Sequence, residues 1–346
     1  MTGPLSLEVQ GLVKHFPVTG GLLGRQQGVV QAVDGVSFAI RRAETLGLVG
    51  ESGCGKTTVS RMVLKLLEPT AGRILLGGVD VTNLSPAQMW EHRRRVQIVF
   101  QDPYSSLNPR LRAGTIVGEP MENFGIGTGR DRDRLVAELF ERVGLRGEAM
   151  AKYPHEFSGG QRQRLGIAKA LSVNPDVIVA DEPVSALDVS VRAQVLNLMM
   201  RLQDELQLAY LFVSHDLAVV RHVSHRVAVM YLGRIVELAD KRGLFATPLH
   251  PYSEALLAAA PAPDPTRRKR SRVILQGDVP SPMRPPSGCR FHTRCTYALP
   301  ECSVTDPPLL EVSPGHHVAC LRRPVGGGVA PLAQKADVKQ ELRAGP

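Results

Sequence analysis

The sequence predicts an α/β protein in which helices cover both faces of a mostly parallel sheet. Short apolar runs of strand length recur along the chain, and segments with helical periodicity separate them. One of these runs, Thr45-Leu-Gly-Leu-Val49, leads directly into the glycine-rich segment Gly50-Glu-Ser-Gly-Cys-Gly-Lys-Thr57. A glycine-rich loop between a strand and a helix is typical of a site that binds the phosphates of a nucleotide.

Length and composition limit the class of protein further. The 346 residues favour about two domains, and 43% apolar with 22% charged residues is a globular composition. No run of ~18 apolar residues and no basic segment followed by an apolar one is found, so we expect a cytoplasmic protein without a membrane span or secretory signal. The net charge of +9 is read as arginines paired with carboxylates and nucleotide phosphates.

The first part of the chain predicts a small antiparallel unit beside the phosphate loop. Residues 6–16 and 29–41 tend to alternate apolar and polar side chains, as strands with one buried face do, and they flank a glycine-rich insert at 18–28. After the loop, a helix is expected over residues 56–67, because Pro69 cannot continue it.

The middle of the chain predicts an inserted set of helices between core strands. A core strand is expected at 96–100, and residues 110–172 are mostly helical, with Ser158 as the N-cap of a helix through Leu171. Three further short apolar runs complete the predicted sheet, at residues 177–180, 210–213 and 227–230.

The phosphate loop supplies what a nucleotide phosphate needs. Gly50, Gly53 and Gly55 let the backbone curl so that its N–H groups face the phosphate at a helix N-terminus. Lys56 is predicted to reach the β- and γ-phosphates, and the Thr57 hydroxyl to bind Mg²⁺. The predicted ATP-binding segment comprises Gly50, Glu51, Ser52, Gly53, Cys54, Gly55, Lys56, Thr57 and Thr58.

Polar side chains at the ends of other core strands complete the predicted site. Asp181 is expected to hold Mg²⁺ through water, and Glu182 to polarise the attacking water. Gln101 follows its own strand and is predicted to join the Mg²⁺ shell, whereas His215 is predicted to donate to the γ-phosphate. Alone, Asp181-Glu182-Pro183 also fits a strand-ending turn and His215 a structural hydrogen bond.

These motifs resemble those of the ATP-binding subunits of ABC transporters, and the resemblance covers residues 6–250. Phe157 stands where the family more often has Leu, and no catalytic residue of the family pattern is missing, so the resemblance implies an active ATPase. The matching segments are Gly50–Thr57 (Walker A), Gln101 (Q-loop), Ser158-Gly-Gly-Gln161 (signature), Asp181-Glu182 (Walker B and catalytic glutamate), Ser185-Ala-Leu-Asp188 (D-loop) and His215 (switch histidine).

The resemblance implies that two subunits enclose two ATP molecules. Ser158, Gly159, Gly160 and Gln161 lie at a predicted helix N-terminus, which is a second anion site. In the family this site closes on the γ-phosphate that the partner's Walker A holds, with the D-loop, here ending at Asp188, beside it.

The resemblance also implies an aromatic residue that stacks on adenine and precedes the Walker A strand. Phe16 is the candidate for this position, and His15 is the alternative.

Finer features resemble the oligopeptide/dipeptide importer ATPases, and within them the F-type subunit. They are Gln101-Asp-Pro-Tyr-Ser-Ser-Leu-Asn-Pro-Arg110, Tyr153-Pro-His-Glu-Phe157 and His250-Pro-Tyr252. This resemblance implies a heterodimer with a sibling ATPase under two permeases, fed by an extracytoplasmic binding protein, at the cytoplasmic face of the membrane. The helical segment at about 102–172 would dock onto the permeases through its part around 102–157.

The C-terminal part has a different composition. We expect an ATP-binding domain over 6–250, a cysteine-bearing appendage over 251–323 after a proline-rich, basic linker that includes Arg267–Arg272, and a disordered tail over 324–346.

Four of the five cysteines lie in this appendage, with five, six and seventeen residues between them. Four thiolates suit an iron–sulfur cluster or tetrahedral zinc, although no pair has the CxxC spacing of zinc ribbons. With these cysteines the chain resembles importer subunits that carry a [4Fe–4S] cluster, and this resemblance implies such a cluster here. Zn²⁺ and unligated thiols are the alternatives. The four are Cys289, Cys295, Cys302 and Cys320.

The function that follows is ATP hydrolysis that drives peptide import, with Glu182 as the base. An ABC ATPase that acts on ribosomes or DNA is the alternative, supported only by the net charge and the basic run, and we expect no nucleic acid partner. A purely regulatory nucleotide-binding module is disfavoured by the complete hydrolytic set. Peptides, nickel and glutathione all fit importers of this type as substrates.

Overall fold

A computed structural model describes residues 3–20, 25–102, 106–259 and 277–323. The basic run Arg267–Arg272 and the predicted tail at 324–346 lie outside the described residues. None of the helices in the described ranges is long and apolar enough to cross a membrane.

The strands are β1 (Leu5–Gly20), β2 (Arg25–Arg41), β3 (Thr45–Val49), β4 (Ala71–Leu76), β5 (Val79–Asp80), β6 (Val96–Val99), β7 (Val177–Asp181), β8 (Ala209–Val213), β9 (Arg226–Tyr231), β10 (Arg234–Asp240), β11 (Leu310–Ser313) and β12 (His316–Val318). The α-helices are α1 (Lys56–Val63), α2 (Pro86–Arg93), α3 (Ala113–Asn123), α4 (Arg130–Arg142), α5 (Gly159–Leu171), α6 (Val189–Leu206), α7 (Leu217–Val223), α8 (Lys241–Ala246) and α9 (Pro251–Ala259). Within the described ranges, short 3₁₀ helices lie at Gly147–Ala151, Pro154–Glu156 and Pro300–Ser303.

A four-stranded antiparallel sheet with the order β2-β1-β4-β5 forms the N-terminal unit. The antiparallel unit is confirmed, whereas its strands β4 and β5 are not among the predicted elements. The two long strands β1 and β2 continue into the segment predicted as an insert, where Val18 pairs with Gly28. Several register shifts interrupt this ladder, and such bulges let long strands bend and twist together. The predicted break at 18–28 is therefore wrong for the part of it that the structure describes.

The central sheet has the order β11-β12-β10-β9-β3-β8-β7-β6. The five strands from β9 to β6 run parallel, and every residue of β3 and β8 is buried. Parallel strands covered by helices on both faces read as continuous apolar runs, which is why the sequence located them. The predicted α/β class with an antiparallel unit and inserted helices is confirmed.

Helix α1 ends at Val63 and not at residue 67, as the sequence predicts. Lys65 has a left-handed backbone with φ 53°, and its buried ammonium donates to the carbonyl oxygen of Thr82. A left-handed residue ends an α-helix, so a tertiary contact stops this helix before Pro69 does.

The inserted helices place the predicted signature segment. Ser158 is the N-cap of α5, as predicted: its hydroxyl accepts from the Gln161 N–H at 3.3 Å, and its own N–H donates to the Gln161 side chain at 2.9 Å. Helix α5 packs against α3, α4 and β6. The signature therefore lies at the β6 side of the sheet.

The C-terminal region is not a separate appendage in this structure, which corrects the sequence-based expectation. Strand β12 pairs antiparallel with β10, with Glu237 opposite Val318 and Leu238 opposite His317. Strand β11 then pairs with β12 and becomes the edge of the central sheet. A three-residue strand such as β12 has too short a pattern for sequence periodicity to reveal it.

Candidate functional site

The loop after β3 depends on glycines that cannot be replaced by larger residues. A Cβ on Gly50 would lie 2.1 Å from the carbonyl oxygen of Met230, and one on Gly55 would lie 2.2 Å from that of Ala32. Gly53 has φ 78°, but no atom lies within 4 Å of the Cβ position. The two outer glycines thus let the loop turn tightly against β9 and β2, whereas its middle faces open space.

Lys56 begins α1 inside this loop. The residue is 6% exposed, and its ammonium donates to the carbonyl oxygens of Gly50 at 2.8 Å and Glu51 at 3.0 Å. The first N–H groups of a helix lack intrahelical partners and bind anions. The lysine and the start of α1 therefore concentrate positive charge at the end of β3.

Cys54 fills a variable position of the loop and is buried. Burial raises the pKa of its thiol, and the nearby Lys56 ammonium only partly offsets this. The side chain is therefore a neutral packing group beneath the loop.

Asp181 ends β7 next to the start of α1. Burial and the charge of Glu182 raise the pKa of its carboxyl group, whereas Lys56, Arg61 and the Thr57 hydroxyl bond lower it, and the net shift is upward. The effect of the Thr57 hydroxyl on the Asp181 pKa places the two predicted Mg²⁺ ligands beside each other. Hard oxygen donors at adjacent positions suit Mg²⁺.

Glu182 has a left-handed backbone with φ 48°, which costs a non-glycine residue about 1–3 kcal/mol. The Glu182 N–H donates to the carbonyl oxygen of Val213 at 2.9 Å, and the Ser185 hydroxyl donates to the Glu182 carbonyl oxygen at 3.1 Å. Its side-chain Oε1 lies 3.0 Å from His215 Nδ1. The His215 side chain is 60% exposed, so the pair faces open space on one side.

Gln101 is exposed directly after β6. The parallel register pairs Val99 with Ala180, so Gln101 and Asp181 leave the sheet at the same edge. The structure places the predicted Mg²⁺-shell residues at one edge, although residues 103–105, which follow Gln101, lie outside its description.

The predicted signature and D-loop residues lie next to one another. A Cβ on Gly160 would lie 2.2 Å from Val191 Cγ1, so this glycine lets the start of α5 contact α6. Asp188 precedes α6, and both it and Val189 are exposed, the latter to 80%.

The two candidates for adenine stacking differ in their surroundings. His15 Nε2 lies 3.2 Å from Asp34 Oδ1. The Phe16 ring is half-buried in β1, and the Lys14 ammonium lies 5.2 Å from its centroid. The stacking role of Phe16 stays a prediction.

The four C-terminal cysteines line one cavity of about 20 Å³ beneath α9, together with Phe291 and Tyr297. Burial raises the pKa of Cys289 to about 11 and that of Cys295 to about 12, so these thiols are neutral. Across the described ranges, no three His, Cys, Asp or Glu side chains are arranged to hold a metal ion. The predicted ligands converge, but they do not form a ligand set, and the cavity is about the size of one water molecule.

Two residues that the sequence did not assign to the loop contact it. Arg294 donates to both carboxylate oxygens of Glu51, at 2.8 and 3.1 Å. The Tyr252 hydroxyl accepts the Glu51 backbone N–H at 2.8 Å. The His250-Pro-Tyr252 segment was a visible motif, but contacts across 201 and 243 residues leave no local signal.

Comparisons with known proteins agree with this geometry. Residues 33–185 match the family model "ABC transporter", and residues 236–302 match "Oligopeptide/dipeptide transporter, C-terminal region". A probable peptide ABC transporter ATP-binding protein, y4tS of Sinorhizobium fredii, is 54% identical over 94% of this chain and 93% of its own. The oligopeptide transport ATP-binding protein AppF of Bacillus subtilis is 53% identical over 91% of this chain and 96% of its own.

Solved structures show the same fold. The ATP-binding cassette MJ0796, as a dimer in a post-hydrolysis state bound to ADP and Pi, has a TM-score of 0.61 and 26% identity, covering 68% of this chain and 99% of its own. CbiO1 of Clostridium perfringens, part of the ABC transporter complex cbiONQ, has a TM-score of 0.61 and 27% identity, covering 70% and 91%. By its loop, its strand-end carboxylates and these relatives, the chain belongs to the ATP-binding proteins of ABC transporters, in the group with the oligopeptide/dipeptide transporter C-terminal region.

Proposed function

We propose that this protein hydrolyses ATP to energise the import of peptides across the cytoplasmic membrane. The observation that carries the proposal is the convergence of the phosphate loop with two strand-end carboxylates: the Thr57 hydroxyl lies beside Asp181, and Glu182 Oε1 lies 3.0 Å from His215 Nδ1. The peptide class is supported by the match over residues 236–302 and by the names of the relatives.

The residues support a division of labour in hydrolysis. Lys56 and the N–H groups that begin α1 bind the phosphates, and Glu182 accepts a proton from the water that attacks the γ-phosphate. His215 orients the Glu182 carboxylate and donates to the γ-phosphate. Thr57, Asp181 and Gln101 would hold Mg²⁺, which would supply positive charge to neutralise the phosphates.

The place of the signature supports a site shared by two subunits. Helix α5 packs at β6, and three strand spacings separate β6 from β3, which at about 4.8 Å each is roughly 14 Å. The exposed start of α5 is thus remote from the loop of its own chain. A partner's loop would meet Ser158, Gly159, Gly160 and Gln161, with Asp188 beside them.

The same analogy supplies the partners and the location. A sibling ATPase completes the dimer, two permeases receive the helical segment around 102–157, and an extracytoplasmic binding protein delivers the substrate. The protein then lies peripherally at the cytoplasmic face of the membrane. We propose an ATP-binding domain over 6–250, a C-terminal region over 251–323 and a tail over 324–346.

The four-cysteine cavity is proposed to hold a metal centre, a [4Fe–4S] cluster or Zn²⁺. Four thiols in one apolar cavity are the donors that either group uses, but the cavity must widen to admit a four-iron cluster. If the metal centre is an iron–sulfur cluster, protein purified without oxygen should contain iron and acid-labile sulfide and should absorb visible light. Zinc alone would select the alternative, and protein without metal would remove the proposal.

The function is tested by affinity purification of tagged Glu182→Gln protein from gently solubilised native membranes, with ATP and Mg²⁺, followed by mass spectrometry. Two permeases and a sibling ATPase are expected, and the bound permeases would lead to the substrate. Lys56→Ala protein, which should not hold ATP, is the matched control. Ribosomal proteins or nucleic acid without permeases would overturn the importer function.

A further inference from the structure

We propose that Arg294 and Tyr252 are positioning residues of the phosphate loop, so that the C-terminal region forms part of the nucleotide site. The inference rests on the proposed ATP-binding function. Both residues contact Glu51, the second residue of the loop.

Arg294 holds the Glu51 side chain through a bidentate salt bridge. The Arg294 side chain is 7% exposed and that of Glu51 is 25% exposed, so water screens this ion pair only partly. Two parallel N–H···O bonds fix the carboxylate plane as well as its charge. The bond to Glu51 raises the pKa of Arg294, which stays charged.

The guanidinium of Arg294 is itself held in place. Its carbon atom lies 5.9 Å from the centroid of the Tyr231 ring, and the backbone N–H of Arg294 donates to the carbonyl oxygen of Phe291 at 3.0 Å. The Phe291 ring meets the Tyr231 ring edge-on, with centroids 5.2 Å apart. Arg294 is therefore anchored on the aromatic cluster that joins the C-terminal region to β9.

Tyr252 is held by a buried carboxylate. Glu237 in β10 is fully buried and accepts the N–H groups of Leu249 at 2.7 Å and His250 at 2.9 Å. His250 Nδ1 in turn accepts the N–H of Tyr252 at 3.0 Å, which fixes the start of α9. The hydroxyl of the fully buried Tyr252 therefore has one position, against the loop.

All three functional groups of Glu51 are bound by protein. Its N–H binds Tyr252, its carbonyl oxygen accepts from Lys56, and its carboxylate binds Arg294. A free carboxylate in this loop would repel the nucleotide phosphates. Arg294 neutralises that carboxylate and holds it against the C-terminal region, and Tyr252 fixes the backbone at the same residue.

The test measures the Kd for ATP and, by competition, for adenosine, using full-length protein. Arg294→Met should raise the Kd for ATP on the order of tenfold, because it leaves Glu51 unpaired beside the phosphates. The Kd for adenosine should not change. Arg294→Met combined with Glu51→Gln should return the Kd for ATP to within about threefold of wild type, because the repelling charge is gone.

Arg226→Met is the matched control, since Arg226 forms a similar partly buried pair with Glu44 at 3.1 Å, away from the loop. It should lower thermal stability without the ATP-specific effect. Tyr252→Phe should raise the Kd for ATP, with the aromatic packing kept.

Three results would overturn the proposal: an unchanged Kd for ATP in Arg294→Met, a double variant as weak as Arg294→Met, or an equal loss in Arg226→Met. Wild-type protein that does not bind ATP would instead overturn the proposed function, so the two failures are distinguishable.

Discussion

Glu182 combines a strained backbone with a carboxylate that is held in place by His215. Its left-handed φ is kept by the bonds of its N–H and carbonyl groups, while its side chain points to His215. Strained backbone conformations that are held by the surrounding structure are common at functional sites, where a side chain needs a defined orientation. The strand end therefore sets where this carboxylate lies before any substrate binds.

Glu182→Gln should bind ATP and Mg²⁺ but hydrolyse ATP at least about 100-fold more slowly. Glutamine has the same shape and keeps the contact with His215, but it does not accept the proton of the attacking water. Phosphate release measured beside binding of a fluorescent ATP analogue separates the two effects. Turnover near the wild-type rate would show that Glu182 is not the base, and Lys56→Ala, which should lose binding itself, is the control.

At the level of residues, the sequence predicted what lies in contiguous motifs. The glycines of the loop, Lys56 and the carboxylates after β7 could be read because strand, loop and helix follow one another in the chain. The left-handed φ of Glu182 and the contacts of Arg294 and Tyr252 could not, because they depend on packing between distant segments. Confirmation of the predicted roles needs the variants above.

Among the elements, β3 and α7 pack closely against each other, and a glycine makes this possible. A Cβ on Gly47 would lie 2.6 Å from Ser224 Oγ and 2.7 Å from Val220 Cγ1. Both distances are below those that real Cβ atoms show, and Val220 is fully buried. Gly47 therefore sets how closely α7 packs on the strand that carries the phosphate loop.

Gly47→Ala should lower the free energy of unfolding by about 1–3 kcal/mol, because the core around β3 is already filled. Gly166→Ala is the matched control: no atom lies within 4 Å of its Cβ position in α5, so alanine should stabilise that helix by roughly 0.5–1 kcal/mol. Thermal or denaturant unfolding of both variants measures the contrast. A loss of stability in both, or in neither, would contradict this account.

Element ends were harder to predict than element types. The buried strands and the capped start of α5 follow from apolar runs and from Ser158. The end of α1 does not, because the contact of Lys65 with Thr82 decides it. The C-terminal strands escaped prediction since their pairing with β10 is tertiary.

For the whole molecule, Asp34 joins three parts of the chain. This residue of β2 accepts hydrogen bonds from Arg234 of β10, at 2.7 and 3.0 Å, and from the buried Arg290 of the C-terminal region. Arg234 also pairs with Asp306. The antiparallel unit, the central sheet and the C-terminal region therefore share one charge network.

This network should make the stability of the fold depend on pH. Burial alone would raise the pKa of Asp34, but the Arg234 bonds and the charges of Arg290 and Arg234 outweigh burial and lower it below 3.8. A carboxyl group with a lowered folded pKa stabilises the fold above its unfolded pKa, and this contribution is lost as the pH falls through the folded value.

Asp34→Asn should therefore lower the melting temperature at pH 7, because Arg290 loses its buried partner. Below pH 4 its melting temperature should approach that of the wild type. Melting curves from pH 7 to pH 3 measure both effects, and a constant difference across that range would exclude Asp34 as the group responsible. Arg73→Met, which removes an exposed pair with Asp80, controls for surface charge.

The pairing of β12 with β10 has a consequence for how the chain is made. After β10 has been translated, residues 241–315 must still be translated before its edge partner exists, which takes roughly 4–15 s at ordinary synthesis rates. During that interval the nascent sheet presents an open edge of the kind that recruits other chains. Nascent chains stalled before residue 316 should be more easily digested by protease at β10 than chains stalled after release of Val318. The rate of translation through residues 289–320, which contain the four cysteines, would then determine what fraction of the newly synthesised protein avoids aggregation.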